Sequence, residues 1–351
     1  MSHYEERLEK DLAQIQIQLT DIGTKVEKAL QNSVDALLKQ DQALANQTII
    51  EDNPINRQFE KINQKCYSFV ARHLPSAGHL RRISSILRFN LELERIGDYA
   101  VTISRETNQF SRPLSKIMVR NVELMQEEAL DILHQSVTAF IEDNTELARG
   151  TIEVSKRTGR IFSNAFTDLS EEENREDWSL DDLYGVLAIY ASLARVSDLS
   201  KNICEETIFV VTGKTKIRKP VEVLFVDEGE GGLSSMAQAI AKKTFPRHGR
   251  YTSASRNPVA NFDSEFSSFL DRSGVQLPGV PKPIDSLLHL DDFQVIVSLE
   301  GKVKSYFERI AFHTAFFEWD VASLENREQQ YKEISHQIHE LMEIMRGKDG
   351  P

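Results

Sequence analysis

Apolar residues recur in steps of three and four along the first two hundred positions. Leu8, Leu12, Ile15, Leu19, Ile22 and Val26 open the series, and Leu30, Val34 and Leu37 extend it. Such spacing holds one face of a long helix against its neighbours. Met118, Val122, Met125, Ala129, Ile132, Leu133, Val137 and Phe140 repeat the pattern in a second half. After the first long helix the chain predicts a break near Asp52-Asn53-Pro54, then a helix from Ile55 to His73. Leu74-Pro75-Ser76-Ala77-Gly78 separates off a third helix, from about Leu80 to Arg105. The second half follows the same plan, with a polar acidic loop from Ser170 to Asp177 ahead of its last helix. Beyond Thr212-Gly213-Lys214 the period changes. Val221 to Val226 and Gln294 to Leu299 read as strands, a helix opens at Leu233-Ser234-Ser235, and Tyr331, Ile334, Ile338, Leu341, Met342 and Met345 mark a final amphipathic helix.

The fold class predicted is therefore multi-domain, α plus α/β. A pair of antiparallel three-helix bundles comes first, and a small α/β sandwich with a parallel sheet follows. The boundaries fall at 1–110 and 111–213 for the two helical repeats, 214–220 for a linker, and 221–347 for the last domain. A duplication underlies the first part: Leu93-Glu94-Arg95-Ile96-Gly97-Asp98 returns as Leu193-Ala194-Arg195-Val196-Ser197-Asp198. The net charge of -12 and a pI of about 5.3 argue against a general nucleic-acid binder, because phosphate contacts need dense Lys and Arg. Cys66 and Cys204 lie in helix-like sequence without metal-ligand partners, which fits a reduced cytoplasmic chain better than a disulfide scaffold. No signal peptide and no spanning apolar run is expected, so any membrane association is peripheral.

In the third helix Ile83, Leu87, Leu91, Glu94 and Asp98 fall on one side. Carboxylates four residues apart are neighbours, and their repulsion costs a few tenths of a kcal/mol even in water. A cation resolves that conflict, since hard divalent or ferric ions take carboxylate oxygens and helical bundles present such ligands from facing helices. Asp52, perhaps joined by Glu51 at the same turn, is a candidate for a third oxygen. The alternative is that Glu94 or Asp98 pairs within the helix with Arg95 or another nearby cation at the bundle surface.

The longer pattern is more specific. Asp52-Asn53-Pro54-Ile55-Asn56, Arg72-His73-Leu74-Pro75-Ser76-Ala77-Gly78-His79-Leu80-Arg81 and Leu93-Glu94-Arg95-Ile96-Gly97-Asp98-Tyr99-Ala100 together resemble the PhoU family of phosphate-signalling proteins, over about residues 5 to 213. The resemblance implies a cytoplasmic protein of two three-helix repeats that restrains the phosphate-starvation response through the phosphate ABC transporter and its sensor histidine kinase. It also implies a metal site, with Glu94 and Asp98 as ligands and Asp52 as contributor, for iron, magnesium, manganese or zinc. A homo-oligomer is expected. Ala194 stands where the motif needs Glu, and Glu153-Val154 replaces an acidic pair, so one competent site is expected in place of two.

In the last domain a strand, a glycine-rich turn from Asp227 to Gly232 and a helix form an anion-cradle layout. With Ser253-Ala254-Ser255 and Trp319-Asp320-Val321-Ala322, it resembles the low-molecular-weight tyrosine phosphatase and arsenate reductase family over about 221 to 346. That family uses a loop cysteine, a loop arginine and an Asp-Pro acid. Here Asp227 replaces the cysteine, Leu233 the arginine and Val321 the proline, leaving only Asp320. Asp227, Glu228 and Glu230 repel a dianion, since like charges about 4 Å apart cost about 4 kcal/mol each at an effective dielectric near 20. The expectation is a non-catalytic domain whose acidic loop binds a cation or basic partner, or whose Asp227 caps the following helix. The alternative is a phosphatase or arsenate-related hydrolase using Asp227 and Asp320.

Overall fold

The computed structural model describes residues 3–155, 158–170, 178–214, 220–229, 232–259, 261–277, 279–287, 290, 293–307 and 314–346. The chain divides into two compact units, Met1–Ile217 and Arg218–Pro351. Most of the predicted acidic loop (171–177), most of the linker (215–219) and Glu230 lie outside the described residues.

The first unit is helical: α1 (His3–Lys39), α2 (Gln42–His73), α3 (Ala77–Thr107), α4 (Lys116–Ile141), α5 (Thr145–Ser155), α6 (Thr158–Ser170) and α7 (Leu180–Thr212). The stripe of α1 is buried as its period requires, from Ile15 through Leu19, Ile22, Val26, Leu30 and Val34. The helix stops where Gln40 turns left-handed and the Asp41 N–H reaches back to the Ala36 carbonyl. Asp41 then caps α2 by accepting from the Leu44 N–H at 3.0 Å. The second half builds the same turn with different residues. Asp143 is left-handed, the Asn144 N–H bonds the Ala139 carbonyl, and Asn144 accepts from the Leu147 N–H.

The predicted break at Asp52-Asn53-Pro54 is absent, because α2 runs straight through it. Proline removes one backbone donor, which strands the carbonyl four residues earlier. Here that carbonyl belongs to Ile50, and the Asn53 side-chain amide donates to it at 3.1 Å. The helix survives, and Asp52 sits in its middle, not at a turn.

Helices α1, α2 and α3 pack on one another, as do α4, α5 and α7. The halves join through α3 on α7 and α1 on α4. Helices α3 and α7 run antiparallel, since Arg88 pairs with Glu206 and Glu92 with Asn202. One buried cluster extends from Leu8 to Ile203, so the repeats share a single apolar core.

The second unit is a five-stranded parallel sheet in the order β3-β2-β1-β4-β5, built from β1 (Val221–Asp227), β2 (Gly249–Ser255), β3 (Lys282–Pro283), β4 (Val295–Ser298) and β5 (Ala315–Glu318). Alternation along β1 sends Val223 and Phe225 to one core and Leu224 and Val226 to the other. On the first face lie α8 (Leu233–Thr244), α9 (Ser264–Arg272) and α11 (Arg327–Arg346), and on the second lies α10 (Val303–Tyr306). Strand order reverses between β1 and β4, which makes the carboxyl end of β1 a topological switch point.

Asp182 ties the segment between the repeats to the start of α7. It accepts from the Ser111 N–H at 2.9 Å, the Ser111 hydroxyl at 2.6 Å and the hydroxyl of the α7 cap Ser179 at 2.7 Å. Burial opposes its charge, but these hydrogen bonds outweigh it and hold the carboxyl below its ordinary pKa. A lowered folded pKa contributes stability above the unfolded value near 4, which is lost as pH falls through the folded value. Asp182→Asn is expected to cost about 1.5–3 kcal/mol at pH 7. In urea titrations its deficit against wild type should shrink as pH falls below the unfolded value near 4.

Candidate functional site

Asp52 projects from α2 toward Gly97 of α3. A Cβ on Gly97 would stand 3.5 Å from Asp52 Oδ1. Asp52 Oδ2 accepts from Asn56 Nδ2 at 2.6 Å, whereas Oδ1 is buried with no hydrogen-bond partner. Glu94 is half-buried and Asp98 exposed on the adjoining stretch of α3. Burial pushes the Asp52 carboxyl above its ordinary pKa and the charge of Asp98 adds to it, while the Asn56 bond and Arg105 pull the other way. Burial also raises Glu94 and the charge of Asp98 adds to it, Arg95 pulls the other way, and Asp52 contributes the weakest repulsion. The three predicted ligands therefore lie within electrostatic reach of one another. Among the described residues no three His, Cys, Asp or Glu side chains converge closely enough to hold an ion as they stand.

The placement differs from the predicted core stripe. The buried row of α3 is Ile83, Ile86, Phe89, Leu93, Ile96 and Ala100, and Leu91 is 38% exposed. Steps of four residues drift by about 40° each around a helix. At about 100° per residue the row from Ile86 to Ala100 lies on the other side of Ile83 from Leu87, Leu91, Glu94 and Asp98, which leaves those four on the flank of the core.

The intrahelical alternative divides between the repeats. Arg95 turns to Glu92, at 3.7 Å, and not to Glu94 or Asp98. Arg195, its counterpart, pairs with Asp198 at 3.2 Å. With Ala194 contributing no oxygen, the second repeat holds one carboxylate already matched to a cation. An all-carboxylate set with a buried, unpartnered oxygen, as in the first repeat, suits hard cations such as Mg2+, Mn2+ or ferric iron.

In the second unit the turn after β1 is filled by the chain itself. Asp227 is 1% exposed, and its Oδ2 accepts from the Ser234 N–H in the first turn of α8 at 2.7 Å. Its Oδ1 accepts from the Ser255 hydroxyl at the end of β2. Of the alternatives weighed for this loop, helix capping by Asp227 is what the geometry shows. Burial raises the Asp227 carboxyl above its ordinary pKa, and the bonds from Ser234 and Ser255 oppose that rise. Glu228 pairs with Arg256 at 3.1 Å, and Arg256 lies over the Tyr306 ring. The Glu228 N–H donates to Glu300 at 3.4 Å. Gly229 has φ +115 and presses on the Asn257 carbonyl, 2.0 Å from where a Cβ would stand, so only glycine fits. Leu233 is buried in the α8 core, and Asp320 is exposed beyond β5. Among the described residues no hydrogen bond or ion pair links Asp320 to Asp227. The sequence places Ser234 at the start of a helix and Ser255 in the Ser253-Ala254-Ser255 segment without assigning either a partner, and it gives no signal for Arg256 or Glu300.

The first unit is a duplicated helical bundle with an acidic flank in one repeat. A family model of the PhoU domain matches residues 19–107 and 122–207. The phosphate-specific transport system accessory protein PhoU homolog of Pseudomonas putida is 28% identical over 215 residues, covering 60% of this chain and 83% of that protein. The PhoU accessory protein of Escherichia coli is 26% identical over 213 residues, covering 60% and 88%. The crystal structure of PhoU from Pseudomonas aeruginosa superposes with a TM-score of 0.55 at 27% identity, over 59% of this chain and 99% of that one. The N-terminal part of this chain belongs to the PhoU family.

A raised acid pKa means that the folded state binds protons more tightly than the unfolded one, so stability gains as pH falls toward the unfolded value near 4.3. In EDTA at pH 7, Glu94→Gln is expected to stabilise the protein by a few tenths of a kcal/mol, because it removes repulsion at a half-exposed site. Thermal melts at pH falling from 7 toward the unfolded value should show this gain shrinking as wild-type Glu94 takes up its proton.

Proposed function

We propose that this protein regulates phosphate uptake and the phosphate-starvation response, acting through metal-dependent binding to the phosphate ABC transporter and its sensor histidine kinase. The observation that carries the reading is the PhoU match over both repeats, with relatives named as accessory proteins of phosphate-specific transport. The cation would be held by Asp52, Glu94 and Asp98, where the buried, unpartnered Asp52 oxygen offers a ready ligand. When bound, the ion would supply the positive charge that lets the three carboxylates close on one another. The chain's own part is to bring Asp52 of α2 against Gly97 of α3. In this reading the protein is a cytoplasmic homo-oligomer that meets the membrane only peripherally; among the described residues no helix is long and apolar enough to cross a membrane.

The second unit acts as a non-catalytic contact module. Phosphatase chemistry through Asp227 and Asp320 is disfavoured because both Asp227 oxygens are engaged and the side chain is sealed from solvent. Purified protein should release no aryl alcohol from an aryl phosphate above buffer, and turnover abolished by Asp227→Ala would reverse this reading. A deletion strain should show altered phosphate uptake and starvation-gene expression, restored by the wild-type gene but not by one carrying Glu94→Ala and Asp98→Ala. Unchanged uptake and expression in the deletion strain would end the regulatory reading.

A further inference from the structure

Carboxylates are frequent in this chain, with 54 Asp and Glu among 351 residues, yet none occurs from Gly231 to Phe262. The same stretch carries Lys242, Lys243, Arg247, Arg250 and Arg256. Cations without intervening acids set up a local field opposite in sign to the net charge of -12. The fold then sorts them between the two ends of the sheet. Arg256, beyond β2, is taken by Glu228 at the carboxyl end. The other four gather at the amino end, where the Val221 N–H that opens β1 donates to the His248 carbonyl. Lys242 and Lys243 stand in the last turn of α8, Arg247 in the turn that follows, and Arg250 at the second position of β2. The Lys243 ammonium donates to the Ser273 carbonyl at 3.1 Å, which adds Arg272 from the last turn of α9.

These five residues are all exposed. Among the described residues Arg250 alone of them is matched to a carboxylate, Glu222 at 3.3 Å, and its side chain is still 73% exposed. Asp271 adjoins Arg272 in sequence. Glu340 and Glu343 lie on the side of α11 opposite Ile338, Leu341 and Met342, which pack against α8, so they face away. The partial negative charge at helix carboxyl ends favours Lys242, Lys243 and Arg272. It does not call for Arg247, which lies past the end of α8, or for a stretch emptied of acids. Pro246 and Arg247 make an exposed turn at this end, and Phe245 and Tyr251 beside it are buried. Single-stranded nucleic acid is held by bases stacked on exposed aromatic rings, and these two rings are covered. A bilayer of anionic phospholipid presents a diffuse sheet of phosphate charge and asks only for exposed cations.

We infer that the amino end of this parallel sheet docks on anionic phospholipid headgroups through Lys242, Lys243, Arg247, Arg250 and Arg272. The contact is reversible, because each Lys or Arg near such a surface strengthens binding only about fivefold and salt screens it. It gives the second unit, read above as a contact module, a partner, and it gives the peripheral membrane association a place. Failure of the lipid contact leaves the regulatory reading standing, since a protein at the membrane serves as well, and the test reads lipid binding, not phosphate regulation.

The test is co-sedimentation of the full chain with vesicles of phosphatidylcholine, alone or mixed with phosphatidylglycerol. Binding is expected on the mixed vesicles only, and it should weaken as salt is raised. Lys242→Gln with Arg247→Gln, two exposed changes that break no ion pair among the described residues, should weaken it about twenty- to thirtyfold. Lys302→Gln with Lys304→Gln, an equal loss of charge beyond the carboxyl end of β4, should leave it within about twofold of wild type. Sodium phosphate should release no more protein than sodium chloride at equal ionic strength. No binding to mixed vesicles, equal binding to both vesicle types, wild-type binding after Lys242→Gln with Arg247→Gln, or equal weakening by the Lys302 and Lys304 changes would overturn the inference. Tighter binding to duplex DNA than to mixed vesicles, or preferential release by phosphate, would assign these cations to a different anion and overturn it as well.

Discussion

The packing of α3 on α7 fixes the geometry on which the rest depends. Both helices bury their apolar rows, Ile83 to Ala100 and Val186 to Ile203, in one core that neither repeat closes alone. A fully buried aliphatic side chain contributes about 1.5–3 kcal/mol, so rotating either helix to hide its flank would cost far more than a surface charge pair returns. The residues left beside the row are thus committed to the boundary with water. In α3 those residues are Glu94 and Asp98; in α7 they are Ala194 and Asp198. The core determines where the flank lies, and the sequence on the flank determines what it binds.

Much of this was legible without coordinates because the signals are local. The stripe from Leu8 to Leu37 specifies α1, and the repeated segment at 93–98 and 193–198 specifies the duplication. The errors came where a distant or side-chain partner changes the outcome. Pro54 signals a break, yet the Asn53 amide satisfies the carbonyl that proline strands, and α2 continues. Strand β2 reads as polar because Ser253 and Ser255 are buried as hydrogen-bonded hydroxyls, to Gln238 and Asp227. Strand β5 is four residues with both faces exposed, too short and too open for any pattern to announce.

The candidate sites show the same division. Spacing and resemblance single out the three carboxylates of the first repeat, but Glu94 and Asp98 lie beside the core because the buried row of α3 runs through Ile86, Phe89, Leu93 and Ile96. Arg95 and Arg195 each have an aspartate three residues ahead, and the sequence differs three residues behind, where Glu92 stands in the first repeat and Ser192 in the second. In the second unit the acidic turn looked repulsive because charges were counted without their partners. Asp227 is absorbed by the start of α8 and Ser255, and Glu228 by Arg256.

The central proposal is that the acidic flank of the first repeat takes a cation, whereas in the second repeat Asp198 is already paired with Arg195. Crystals of the full chain grown with Mn2+ and measured for anomalous scattering address it most directly. The account predicts anomalous density between α2 and α3, beside Asp52, Glu94 and Asp98, and none beside Asp198 and Arg195. Density at the second repeat, or none beside Asp52 at saturating Mn2+, would contradict it.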